Sequence, residues 1–211
     1  MGTLKTRCVI IGSGDCSIDI LKENINNSDY IICADGGYDY AVEADLIPDL
    51  LIGDFDSIKA IPENVAKITL PVEKDVTDAV AAFNEGVKQG FTSFVLFGGT
   101  GGRFEHTFAN ISLMANASKQ NLSFEIIDEK HIFRAVTNSS IKIERKENQQ
   151  ISVFAYGNKA TGVTENYFHY PLQNYTLDPF DGAFGTSNDI VEEFGKISVE
   201  DGTLIIIETN V

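Results

Sequence analysis

Tyr30-Ile31-Ile32-Cys33-Ala34-Asp35-Gly36-Gly37 and Leu50-Leu51-Ile52-Gly53-Asp54-Phe55-Asp56-Ser57 share one pattern: a short apolar run, then at once acids and glycines. Ile68-Thr69-Leu70-Pro71 repeats it, with Lys74-Asp75-Val76-Thr77-Asp78 just beyond. Short apolar runs bounded by turn residues read as buried strands, and in an open α/β sheet the loops at the carboxyl ends of parallel strands build the ligand crevice. Carboxylates gathered there are hard oxygen donors, suited to a hydrated Mg²⁺ carrying nucleotide phosphates. These stretches predict a mostly parallel, doubly wound α/β sheet and phosphoryl chemistry.

The same alternation runs from the start to about residue 128. Cys8-Val9-Ile10-Ile11, Lys67 to Leu70, Ser93 to Phe97 and Phe124 to Ile127 add strands, while Ser17 to Asn26, Tyr38 to Ala44, Thr77 to Lys88 and Phe104 to Lys119 have helical spacing. Beyond it, Ile132 to Val136, Ser140 to Ile143, Ile151 to Tyr156, Ala160 to Val163 and Thr203 to Glu208 read as strands without long helices between them. Polar breaks such as Thr137-Asn138-Ser139 and Gly157-Asn158 make these antiparallel hairpins of a small β-sandwich. The expected division is an α/β domain over residues 1–132 and a sandwich domain over 133–211.

A chain of 211 residues buries a real core, and 43% hydrophobic with 22% charged residues is an ordinary globular composition. The net charge of −15 argues against nucleic acid or an anionic membrane as partner, because both need a basic face. An anionic nucleotide would need local help from metal, Arg or backbone amides, whereas a cationic second substrate meets no such repulsion. No apolar leader opens the chain and no apolar run reaches the ~20 residues of a membrane helix, so a cytoplasmic protein is expected. Cys8, Cys16 and Cys33 have neither metal-ligand nor redox spacing and read as reduced core thiols.

Asp54 and Asp56 are two apart, so on an extended segment both carboxylates share a side and can grip one cation while Phe55 points inward. A solvated turn uses the same residue types. Asp75 and Asp78 suit a helix start, as N-cap and third residue, and a third carboxylate there could also complete a metal shell. Gly98-Gly99-Thr100-Gly101-Gly102-Arg103 leaves backbone amides bare and adds a guanidinium, an anion-wrapping loop without the Lys-Ser/Thr ending of a Walker A motif. Gly12-Ser13-Gly14 is a weaker glycine loop. His106, His131 and His169 lack zinc spacing; only His106, one turn into the helix after the glycine loop, is of interest.

In their order and spacing, Ala34-Asp35-Gly36-Gly37, Gly53 to Ser57, Lys74 to Asp78 and Gly98-Gly99-Thr100-Gly101-Gly102-Arg103-Phe104-Glu105-His106 resemble thiamine pyrophosphokinases. Tyr170-Pro171-Leu172 and Gly185-Thr186-Ser187-Asn188 resemble that family's C-terminal signatures. The resemblance implies an ATP-binding α/β domain, a thiamine-binding β-sandwich that also dimerises, a homodimer, and transfer of the ATP pyrophosphoryl group to the thiamine hydroxyl, with AMP released. It implies Mg²⁺ on Asp54, Asp56 and Asp78 with Asp35 beside them. It also implies ATP contacts from Lys74, Asp75, Thr77, Gly99, Thr100, Gly101, Gly102, Arg103 and His106, and thiamine contacts from Thr186, Ser187 and Asn188. Asp35 and Asp78 both remain candidates for a general base.

Four positions depart from the family pattern: Glu105 where Asp is usual, Tyr38 and Asp39 where Ala-Asn is common, and Tyr167 where Gly is frequent. Rival readings are a pyrophosphokinase for another hydroxymethyl compound such as a pterin, a non-catalytic nucleotide-sensing module, and a metal-dependent phosphohydrolase.

Overall fold

Val9, Ile10 and Ile11 expose no surface although successive strand residues point to opposite faces, so the strand they form is covered on both sides. The computed structural model describes residues 5–56, 63–71, 75–181 and 185–210, and Ser57 and Lys74 lie outside them. The chain divides into two units: Met1–Leu113 with Ile126–Glu129, and Met114–Glu125 with Lys130–Val211.

In the first unit β1 (Arg7–Ile11), β2 (Asp29–Ala34), β3 (Leu50–Gly53), β4 (Ala66–Thr69) and β5 (Ser93–Phe97) lie in the order β4-β3-β2-β1-β5, and every pairing is parallel. The helices α1 (Ile18–Asn24), α2 (Gly37–Glu43) and α3 (Asp78–Lys88) connect them. The border between units falls inside α4 (Phe104–Lys119) and β6 (Ser123–Ile127). The chain steps from β1 to β4 toward one edge and returns with β5 on the other side of β1. The strand order therefore reverses between β1 and β5, where open α/β sheets place their ligand.

The start of α3 differs from the sequence expectation. Its N-cap is Thr77, whose Oγ1 accepts from the Val80 N–H at 3.3 Å, and Asp78 is the first helical residue. A hydroxyl cap satisfies that exposed donor as well as Asp75 would, and it leaves both carboxylates near the positive helix end. Phe83 of α3 packs on Phe94 with ring centroids 4.8 Å apart.

The second unit pairs two antiparallel sheets over one core. β7 (His131–Thr137), β13 (Thr203–Asn210) and β9 (Gln149–Ala155) form one, in that order. The other runs β11 (Tyr175–Leu177), β10 (Ala160–Asn166), β12 (Phe194–Ser198), β8 (Ser140–Glu144). Alternate residues of β9 are buried, and Ile151 and Val153 meet Val163, Ile197, Leu204 and Ile206 in the core. Sequence pattern anticipated neither β11 nor β12: one is too short, and the other carries Gly195, where an added Cβ would lie 2.5 Å from the Phe168 ring. On the β13 face that carries Leu204 and Ile206, buried Glu208 pairs with Arg134, which also holds Glu125 at 2.6 Å, and accepts from Gln149 at 2.9 Å.

Candidate active site

Asp35 leaves β2 in the left-handed region, at φ 48°, with its N–H donated to the Ile52 carbonyl at 2.8 Å. Gly53, at the end of β3, makes this approach possible: a Cβ there would stand 3.1 Å from the Asp35 Cα and Cβ. Gly37 does the same for α2, since a Cβ would fall 1.9 Å from the Ile11 carbonyl oxygen. A side chain at either position would push the Asp35 turn off the strand ends.

Asp54 and Asp56 come together by a turn and not on an extended strand. β3 stops at Gly53, Phe55 takes φ 64°, and the Asp54 carboxylate accepts from the Asp56 N–H at 3.2 Å. This Asx-type turn keeps Phe55 buried and brings the two acids to one side. Asp35, Asp54 and Asp56 each present an oxygen within 4.8 Å of the others. Oxygens across one ion with bonds of about 2.1–2.6 Å stand about 4.2–5.2 Å apart, so the set fits a hard divalent cation. Asp54 beside it, by charge and hydrogen bond, raises the Asp56 carboxyl above its ordinary range, and Asp35 and Asp78 add to this. Asp78, at the start of α3, thus acts on the same group.

The opposite half of the crevice is built from glycine. Gly98, Gly101 and Gly102 all have positive φ, and a Cβ on Gly98 would lie 2.4 Å from the Gly12 carbonyl oxygen. The loop after β1 is zipped to the loop after β5: Gly12 N–H to Phe97 O at 2.8 Å, Gly14 N–H to Gly98 O at 2.9 Å, Asp15 N–H to Thr100 O at 3.0 Å. Thr100 donates its hydroxyl to Asp128 at 2.9 Å and Asn110 its amide to the Gly99 carbonyl at 2.8 Å, which fixes the loop from behind.

A cavity of about 700 Å³ opens between these loops, lined by Gly12 to Asp15, Gly98 to Arg103, Asp75 to Ala79, and His106. That gathers Asp75, Thr77, Asp78, Gly99, Thr100, Gly101, Gly102, Arg103 and His106 around one space. Arg103 is exposed and paired with Glu105 at 2.7 Å, so the longer acid at this departure position reaches back to the guanidinium. Sequence pattern undervalued Gly12 and Gly14 and passed over Asp15, which lies against Gly101; the signal available was a second glycine loop directly after a strand.

In the second unit Thr186 and Ser187 are exposed, and Ser187, at φ 56°, donates its N–H to Ser152 Oγ at 3.1 Å. Asn188 is only 7% exposed, and its side-chain amide is committed to protein partners: Nδ2 to Glu165 and to the Tyr170 carbonyl, both at 2.9 Å, and Oδ1 from the Tyr170 and Asp189 N–H groups, both at 3.0 Å. Glu165 was also missed. Carrying β10 two residues past Val163 puts Glu165 on the buried face by simple alternation.

The thiols are unpaired and inert: burial, with Asp49 and Asp29 nearby, pushes Cys8 up to about 12, and burial pushes Cys16 up to about 11. Among the described residues no helix is long and apolar enough to cross a membrane.

Residues 21–126 match the family model for the thiamin pyrophosphokinase catalytic domain, and residues 138–204 match that for its vitamin B1 binding domain. Thiamine pyrophosphokinase of Bacillus subtilis is 28% identical over 98% of this chain and 99% of its own length, and thiamin pyrophosphokinase 1 of Caenorhabditis elegans is 24% identical over 87% and 81%. The Bacillus subtilis crystal structure superposes with a TM-score of 0.89 at 24% identity, over 98% of this chain and 100% of that one. The thiamin pyrophosphokinase structure from Candida albicans gives 0.75 at 18% identity, over 97% and 89%, which extends the same fold to a distant sequence. With two matching models covering residues 21–126 and 138–204, and a relative matched over 99% of its own length, the chain belongs to the thiamin pyrophosphokinase family.

Proposed function

We infer that this chain transfers the pyrophosphoryl group of ATP to the hydroxyl of thiamine, giving thiamine diphosphate and AMP. The observation that carries the reading is the meeting of Asp35, Asp54 and Asp56 within 4.8 Å beside a glycine-walled cavity large enough for a nucleotide. The match of residues 138–204 to a vitamin B1 binding domain favours thiamine over a pterin or a hydrolytic water as acceptor.

Asp35, Asp54 and Asp56 would hold Mg²⁺, with Asp78 facing the same group from α3. An ion held there would supply positive charge to offset that of the phosphate oxygens. The amides of Gly99 to Gly102 and the Arg103 guanidinium receive the phosphates, Thr77 and Asp75 border them at the α3 N-terminus, Lys74 adds a cation, and His106 closes the wall. With the acceptor oxygen in line, its bond to the β-phosphorus forms as the bond to the α-bridging oxygen breaks. The hydroxyl proton passes to a carboxylate, Asp35 or Asp78. Thr186 and Ser187 meet the acceptor, and Asn188 shapes their turn. We further propose that the enzyme works in the cytoplasm, supported by three free thiols, and as a homodimer, supported by the exposed rings of Tyr170 and Phe180; light scattering tests the latter.

The deciding experiment incubates the protein with ATP, Mg²⁺ and thiamine and follows AMP and thiamine diphosphate. Equimolar formation of both is expected, and Asp54→Asn should lower turnover by about two orders of magnitude or more. Release of phosphate without thiamine diphosphate would refute the reading.

A further inference from the structure

The second unit buries a carboxylate that the reaction above does not use. Glu165 pairs with Ile197 across β10 and β12 and shares its inward face, with only 2% of its surface exposed. One oxygen, Oε2, accepts from Asn188; the other, Oε1, is buried with no hydrogen-bond partner among the described residues. A carboxylate held this way costs stability, so it needs a reason to be there.

The reason lies in Asn188. A side-chain amide fits its pocket in two orientations, and only the surrounding donors and acceptors choose between them. Here Oδ1 must face two N–H groups, of Tyr170 and Asp189, while Nδ2 must face two acceptors, the Tyr170 carbonyl and Glu165. The main chain of Asn188 is at the same time pinned to Ile151 by two bonds of 2.8 Å. Asn188 thus clamps the turn carrying Thr186 and Ser187 to the segment carrying Tyr170, and Glu165 is the side-chain acceptor that fixes the clamp's orientation.

We propose that Glu165 is a positioning residue for the acceptor substrate: by accepting from Asn188 Nδ2 it holds the Thr186–Ser187 turn in the shape that receives thiamine. This rests on the assignment of residues 186–188 to the acceptor made above. What the turn requires is a strong oxygen acceptor at this point, which glutamine also supplies and methionine, whose thioether accepts only weakly, does not.

The test compares wild type with Glu165→Met, which keeps the volume, and Glu165→Gln, which keeps the acceptor; Glu165→Ala replaces the first if it does not fold. Two quantities are read: hydrogen exchange of the Tyr170 and Asp189 amides without substrate, and the KM values for thiamine and ATP. Glu165→Met should speed exchange at both amides and raise the thiamine KM about tenfold, the loss of about one hydrogen bond, with the ATP KM within about twofold. Glu165→Gln should restore both. A generally weakened fold would lower apparent kcat without this split. Unchanged exchange in Glu165→Met overturns the proposal. Faster exchange with an unchanged thiamine KM overturns the proposal, and an unchanged thiamine KM in Ser187→Ala as well overturns the assignment of the turn. If Ser187→Ala raises the thiamine KM while Glu165→Met does not, the assignment stands and the proposal falls.

Discussion

Glu165→Gln should stabilise the protein at pH 8 by about 3 kcal/mol relative to its effect at pH 4.5. Burial raises the Glu165 carboxyl from its ordinary 4.5 to about 7, against the lowering effect of the Asn188 hydrogen bond. Between those values the unfolded chain has released a proton that the folded chain still holds. The folded state then binds more protons, so stability falls as pH rises from about 4.5 to about 7 and is flat outside that window. A displacement of about 2.5 units at about 1.36 kcal/mol each gives the figure. Glutamine does not titrate, so the variant lacks this loss. Its amide nitrogen does meet the unpartnered Oε1 position, a penalty independent of pH that cancels in the difference between the two pH values. The assay is urea unfolding of both proteins at pH 4.5, 6 and 8, followed by far-UV circular dichroism because the chain has no tryptophan. Stability differences equal at pH 4.5 and 8 within about 0.5 kcal/mol, the usual limit of additivity, would refute the buried, uncompensated carboxylate.

Asp56→Asn should leave thermal stability unchanged or higher without metal, because Asp54 already raises the Asp56 carboxyl by repulsion, yet should abolish the rise in Tm that Mg²⁺ confers on wild type. Differential scanning fluorimetry with and without Mg²⁺ checks it. Gly101→Ala puts a Cβ 2.2 Å from Asp15 Oδ2 at φ 74° and should raise the ATP KM while leaving the thiamine KM in place, as initial rates will show. Arg134→Met leaves buried Glu208 without its cation and should cost about 3–5 kcal/mol in urea unfolding, with little change in either KM for the molecules that remain folded.

The parallel half of the fold was legible because β1, β2, β3 and β5 carry uninterrupted apolar runs closed by Gly or Asp, and the runs 93–97 and 104–119 coincide with β5 and α4. The antiparallel half was less so: β11 and β12 hold their places through neighbours such as Phe168 filling the space over Gly195, a tertiary fact with no local pattern. At the site, the grouping of acids was readable but the means were not. Two residues spaced for an extended strand can be joined equally by a left-handed Phe55, and φ > 0 at a phenylalanine leaves no mark in the sequence. The commitment of Asn188 to four internal bonds was hidden for the same reason, since its partners at 165 and 170 lie far from it along the chain.

Chain order interleaves the two kinds of loop, glycines after β1, acids after β2 and β3, glycines again after β5, and the sheet order β4-β3-β2-β1-β5 sorts them into an acidic half and an amide-rich half. With a net charge of −15, long-range attraction cannot bring in ATP, and the donors that hold it act only inside the crevice. A thiazolium cation feels the opposite field and is drawn in. Salt screens both effects, with a Debye length of about 10 Å at 0.1 M and about 3 Å at 1 M. Raising ionic strength from about 0.05 to about 0.3 M at fixed free Mg²⁺ should therefore raise the thiamine KM and lower or leave unchanged the KM for ATP with its metal. Initial rates across that series decide it. If the two constants move together, the overall charge does not steer the substrates, and the sorting of loops alone accounts for how they are taken up.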